Sequence, residues 1–164
     1  MRNWLFVLCI LVYGGNAMAN SADIFTVYVA RHAEKVPDQA DPQLSEKGRA
    51  RAKNLALLLQ HTDLEQIYAT KYRRARETAE PAAKLFDLSI STYGAAESEL
   101  LAQALLSERR NSLVVGHSNT VPALVKLLGG NEFELTERDY GDVFMLQFRG
   151  EVLVSTRLFV PAHD

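Results

Sequence analysis

The sequence predicts a three-layer α/β/α domain with a mainly parallel sheet and C-terminal antiparallel edge strands. Three observations carry this. Apolar runs alternate with helical patterns from residue 24 to about residue 128, the signature of strands joined by crossover helices. Leu113-Val114-Val115 is an uninterrupted aliphatic run, as expected for a strand covered on both faces. Val143–Phe148 and Val152–Phe159 flank Arg149-Gly150 and read as a terminal hairpin.

The elements follow in order. A first strand over Ile24–Ala30 runs into a polar loop containing Pro37, Asp38, Asp41 and Pro42. Ser45 is a suitable N-cap for a helix through about Gln60, with Gly48, Ala52, Leu55 and Leu59 on one face. Gln66–Thr70 forms a short strand, and a helix follows from about Arg74 to Phe86. Ala75, Thr78 or Ala79, Ala82 and Leu85 or Phe86 supply its inner face. Pro81 removes one N–H and crowds the preceding turn, so a kink is expected there. Leu88–Thr92 predicts a strand and Ser98–Glu108 a helix. Asn119 or Thr120 caps the next helix, Pro122 fits its first turn and Gly129 ends it.

Residues 1–19 predict a secretory signal peptide. Met1-Arg2 supplies the positive start, Trp4–Tyr13 the apolar core and Ala17-Met18-Ala19 the cleavage site. Cleavage there leaves 145 of the 164 residues, beginning at Asn20, enough for one domain. The apolar stretch is too short for a permanent membrane span. Cys9, the single cysteine, leaves with the leader, so the remainder has no thiol or disulfide. Loss of Arg2 leaves 17 Lys and Arg against 20 acids, a charge of −3, which does not suggest a nucleic-acid partner.

The chemistry concentrates at strand ends. Arg31-His32 follows the first strand, and Gly116-His117-Ser118-Asn119 follows the aliphatic run near residue 114. Tyr72-Arg73-Arg74-Ala75-Arg76 lies between them. Ligands of open α/β sheets bind beyond the carboxyl ends of the strands, so two histidines and an arginine cluster can converge on one anion. A neutral imidazole held in one tautomer can attack phosphorus. Guanidinium forks suit phosphoryl oxygens, and Ser118, Asn119 and the following helix start offer further donors. Those arginines disfavour a metal at His32 and His117. His61 and His163 read as exposed bystanders.

These segments resemble the histidine phosphatase superfamily, also called phosphoglycerate mutase-like. Arg31-His32-Ala33, Leu44-Ser45-Glu46-Lys47-Gly48-Arg49-Ala50-Arg51-Ala52, Arg74-Ala75-Arg76-Glu77-Thr78-Ala79 and Val115-Gly116-His117 occur in the family's order. The resemblance implies that His32 accepts the phosphoryl group, with Arg31, Arg74 and His117 completing the pocket. It also implies a small exported member without a large cap, because the interval from Tyr93 to Ser112 is short. For the carboxyl group that protonates the leaving oxygen, Glu97 is preferred, with Glu99, Glu34 and Asp142 as alternatives. The expected function is an exported phosphatase that hydrolyses small phosphomonoesters through a phosphohistidine, with no cofactor. The alternatives are a non-catalytic phospho-ligand binding protein and a phosphohistidine signalling phosphatase. Phosphorylated sugars or envelope glycolipid head groups are substrates that the resemblance suggests.

Overall fold

A computed structural model describes residues 24–37 and 40–163. The leader read in residues 1–19 lies outside them. The elements run β1 (Ile24–Arg31), α1 (Glu46–Leu59), β2 (Gln66–Thr70), α2 (Arg73–Phe86), β3 (Ile90–Tyr93), α3 (Ser98–Glu108), β4 (Ser112–Gly116), α4 (Thr120–Leu127), β5 (Asp142–Arg149) and β6 (Val152–Phe159). Their strands form one sheet in the order β3-β2-β4-β1-β5-β6. The first four in that spatial order are mutually parallel, while β5 is antiparallel to β1 and β6 to β5.

Strand alternation sends side chains to two cores. Tyr28, Ala30, Leu113 and Val115 pack with Leu55, Leu59, Ala75, Ala79 and Ala82, under α1 and α2. Phe25, Val27, Val29 and Val114 pack with Leu101, Leu105, Val121 and Leu124, under α3 and α4. Val27, Val29, Val114 and Val115 are all fully buried. At about 1.5–3 kcal/mol per buried aliphatic side chain, β1 and β4 are anchored from both faces. They are also neighbours, with Arg31 in register with Gly116, so their ends deliver His32 and His117 side by side.

Several expectations shift. The third strand begins at Ile90 rather than Leu88, because the chain is still leaving α2. Asp87 adopts a left-handed conformation and the Leu88 N–H bonds the Ala83 carbonyl. On α2 the expected inner face forms from Ala75, Thr78, Ala79 and Ala82, and of the pair Leu85 or Phe86 it is Phe86 that packs against the core while Leu85 is exposed. That helix runs as one element through Pro81. Neither Asn119 nor Thr120 caps α4 with its side chain; the Thr120 hydroxyl accepts from the His117 N–H at 2.8 Å. Among the described residues, no helix is long and apolar enough to cross a membrane.

Candidate active site

The loop after β1 is held by bonds that explain much of the motif following it. Ser45 caps α1 through the Gly48 N–H at 3.1 Å, and the Ser45 N–H donates to the Glu34 carbonyl at 2.9 Å. A Cβ at position 48 would lie 2.1 Å from that carbonyl, so only glycine lets α1 pack so near. Arg51, one turn later, grips the Glu34 carboxylate with Nε and Nη2 at 2.9 and 2.6 Å and also donates to the Val160 carbonyl. Burial alone would raise the Glu34 pKa; the Arg51 hydrogen bonds, a backbone hydrogen bond and the Arg51 and Lys47 charges together outweigh it and hold the pKa below the usual range. From α2, Thr78 accepts from the Ala33 N–H at 2.9 Å, and Glu77 accepts from the Leu44 N–H at 2.7 Å.

This scaffold fixes His32, which is 3% exposed. Its Nδ1 lies 2.8 Å from the Ala33 carbonyl. A carbonyl can only accept, so Nδ1 carries the proton and Nε2 keeps the lone pair. Burial pushes the pKa down to about 3; the Arg31, His117 and Arg74 charges push the same way, and the Ala33 bond opposes them. The ring is neutral at physiological pH.

His117 differs. Its Nε2 lies 2.8 Å from the Thr70 hydroxyl, and Arg74 Nη2 is 3.4 Å from Nδ1. Guanidinium only donates, so Nδ1 is the accepting nitrogen and Nε2 carries the proton. Burial, then the Arg74 and Arg31 charges, lower this pKa to about 4. The two imidazoles meet edge to face, with centroids 5.2 Å apart.

Both rings line a cleft of about 310 Å³ with Lys35, Ala40, Tyr72, Arg74, Ala95, Ser118, Asn119 and Glu137. Arg74 stacks over Tyr72, its carbon centre 4.7 Å from the ring centroid, and its buried Nε has no partner. Arg31 behaves otherwise than the sequence suggests. Its Nη1 donates to the Thr136 and Asp139 carbonyls at 2.6 and 3.0 Å, and its Nη2 to Glu137 at 3.1 Å. The fork expected to grip a phosphoryl group thus clamps the loop before β5, leaving Nε as the buried donor without a partner.

The carboxylate candidates are also redistributed. Glu97 does not line the cleft; its carboxylate turns back to accept from the Gly94 N–H at 3.0 Å, closing the turn before α3. Glu99 sits exposed in the first turn of that helix. Glu34 is paired with Arg51, and Asp142 with Arg157 at 2.7 Å. The carboxylate that lines the cleft is Glu137, which accepts from the Ser118 hydroxyl at 3.0 Å. Sequence reasoning missed it because Glu132, Glu134, Arg138 and Asp139 surround it, and together they read as a solvated charge run. Tyr140, whose ring lies 4.3 Å from the Arg31 carbon centre, was missed for the same reason. No group of three potential metal-ligating side chains occurs among the described residues.

Residues 27–97 match the model of the histidine phosphatase superfamily, branch 1. Comparison with curated protein sequences gives no match. Among solved structures, the chain is similar to the protein histidine phosphatase SixA complexed with tungstate, at 17% identity and a TM-score of 0.68. That match covers 84% of this chain and 97% of the other. A mycobacterial glucosyl-3-phosphoglycerate phosphatase matches at 17% identity and 0.60, over 85% and 100%. A phosphoserine phosphatase from Entamoeba histolytica matches at 18% and 0.61, over 83% and 96%. At these identities the likeness is one of fold. Residues 27–97, which match the histidine phosphatase superfamily model, carry His32 and Arg74, and the chain has the fold of these solved phosphatases.

Proposed function

We propose that this chain is a phosphatase that transfers a phosphoryl group from a small phosphomonoester, or a related phosphoryl compound, to His32 Nε2 and then to water. The observation that carries this reading is the Ala33 carbonyl bond, which holds the buried ring neutral with its lone pair on Nε2. Attack forms a P–Nε2 bond as the bond to the leaving group breaks. The charge on the equatorial oxygens then needs fixed donors. Arg74 is one, with an unpaired Nε and a weak 3.4 Å contact to His117 that phosphoryl oxygens can replace. Lys35, Ser118 and Asn119 add donors around the cleft. His117 contributes in a second way. With its Nε2 proton directed at Thr70, donation from Nδ1 requires a second proton, and an arriving phosphoryl dianion favours that uptake.

In this reading the reaction needs no metal. The test is phosphohydrolase activity on aryl and alkyl phosphates and on phosphoramidates, with and without chelator. Label from the substrate should appear on His32, and chelator should change nothing. Chelator-sensitive activity restored by added metal would refute the mechanism, as would full activity in His32→Ala.

Among the described residues the expected donors Glu34, Glu97 and Asp142 are all held outside the cleft lining, so the rate of His32 phosphorylation should depend steeply on leaving-group pKa. A positioned acid contributes about 10²–10⁴-fold, and its absence weighs most on alkyl phosphates. A flat dependence in wild type that turns steep in Glu97→Gln would instead make Glu97 the donor.

The reading also places the protein outside the cytoplasm, on the strength of Ala17-Met18-Ala19. Mass spectrometry of the exported protein should find Asn20 as the first residue; an intact Met1 in that fraction would overturn this part.

A further inference from the structure

The geometry points to Glu137 as the general base that activates water against the phosphohistidine, an assignment that rests on the phosphatase reading above. It is the carboxylate among the residues lining the cleft, facing the same space as His32 and His117. Its two oxygens are held separately, Oε1 by the Ser118 hydroxyl at 3.0 Å and Oε2 by Arg31 Nη2 at 3.1 Å. Arg31 is itself buried and fixed by two backbone carbonyls, so this carboxylate is tied to the strand end that bears His32 although its own loop is exposed. The Glu137 side chain is 71% exposed, which leaves it open to water. A carboxylate oxygen accepts more than one hydrogen bond, so each retains capacity for a water proton.

The charge state selects the step. The Ser118 hydrogen bond, ahead of the Arg31, Lys35 and His32 charges, holds Glu137 below the usual carboxylate range, while its slight burial acts the other way. An ionised carboxylate cannot give a proton to a departing alkoxide in the first half-reaction. It can take one in the second. Water oxygen bonds to phosphorus as the P–Nε2 bond breaks, the electron pair of that bond returns to Nε2, and one water proton passes to Glu137. The products are inorganic phosphate and neutral His32.

The test separates the half-reactions. Wild type, Glu137→Gln and the control Glu132→Gln are labelled with a radioactive aryl phosphate and chased with unlabelled substrate. Glu132 lies on the same loop, paired with Lys126 and outside the cleft lining. Label on Glu137→Gln should accumulate at steady state and decay about 10²-fold or more slower than on wild type. Glu132→Gln should match wild type. Decay in Glu137→Gln within about threefold of wild type would overturn the assignment. So would equal slowing of labelling and decay, which is the mark of a residue that merely positions Arg31. A wild type that takes no label on His32 would sink the phosphatase reading itself, a distinct result.

Discussion

The two walls of the cleft are built on opposite principles. The wall from β1, α1 and α2 is knitted from buried and part-buried bonds: Ser45 to Gly48 and Glu34, Arg51 to Glu34 and Val160, Thr78 to Ala33, Glu77 to Leu44. The wall from the segment between α4 and β5 is mostly polar and exposed; Arg31 ties it to the end of β1, Ser118 holds Glu137, and Phe133 stacks on Phe144. Phosphorus chemistry needs a nucleophile fixed in one tautomer and direction, which costs less when the bonds fixing it are already made. Contacts beyond the phosphoryl group need variety. The rigid wall therefore suits the fixed part of such chemistry, and the exposed wall suits contacts beyond it.

Four experiments break or sharpen that contrast. His32→Ala removes the acceptor from the rigid wall and should lower turnover by at least about 10⁴-fold, as loss of covalent nucleophiles does elsewhere. A loss under tenfold would make the rigid wall irrelevant to chemistry. Arg74→Ala, in the same wall, removes charge stabilisation and should cost about 3 kcal/mol of barrier, or about 10²–10³-fold in kcat. An effect confined to KM would show instead that Arg74 holds substrate and transition state equally.

Arg51→Met tests the knitting rather than the chemistry. Leaving Glu34 half-buried without its partner should lower unfolding free energy by about 3 kcal/mol in urea melts. The protein that stays folded should still become labelled on His32. A change under 0.5 kcal/mol, roughly the level of an exposed pair, would mean that the β1 loop is not held as described.

The smallest expected effect is a pH response that is nearly absent. The neutral form of an imidazole with the ordinary pKa would fall about 25-fold between pH 7 and pH 5. His32, lowered to about 3, stays neutral throughout, so its own titration should remove no more than about twofold of the labelling rate as pH falls across this range. The stability consequence has the opposite visibility. The folded-state pKa lies below the unfolded one, so the unfolded chain binds more protons. Stability should fall as pH drops from about 6.5 toward 3, and level off above 6.5. A labelling rate that falls with an apparent pKa near 6.5 would show the nucleophile to be solvated rather than enclosed.

Much of the rigid wall was legible in the sequence. Ser45 before a helical pattern, the aliphatic run at residue 114 and the hairpin around Gly150 are local signals, and each element formed within a residue or two of its reading. Strand β3 slid because Asp87 in the left-handed region extends the exit of α2, which strand periodicity alone does not reveal. The exposed wall was illegible for a different reason. Glu137 and Tyr140 act through an arginine 106 and 109 residues away, a contact that exists only once β5 has paired with β1. Arg31 was expected in the phosphate pocket from its position beside His32, but its fork partners, Thr136, Glu137 and Asp139, depend on topology. Glu97 was favoured from its place in the chain order, and an N–H three residues earlier holds it.

The mixed sheet has a consequence for the entrance. Strand β1 ends at the nucleophile while its antiparallel neighbour β5 begins beside the same point, with Ala30 opposite Val143. The connection from α4 into β5 is therefore delivered to the strand end that carries His32, since β5 is paired with β1 along its length. Changes in that connection redraw the entrance while the pairing of β1 with β4 keeps His32 and His117 in place. Such an architecture works as a fixed spindle with an interchangeable bit.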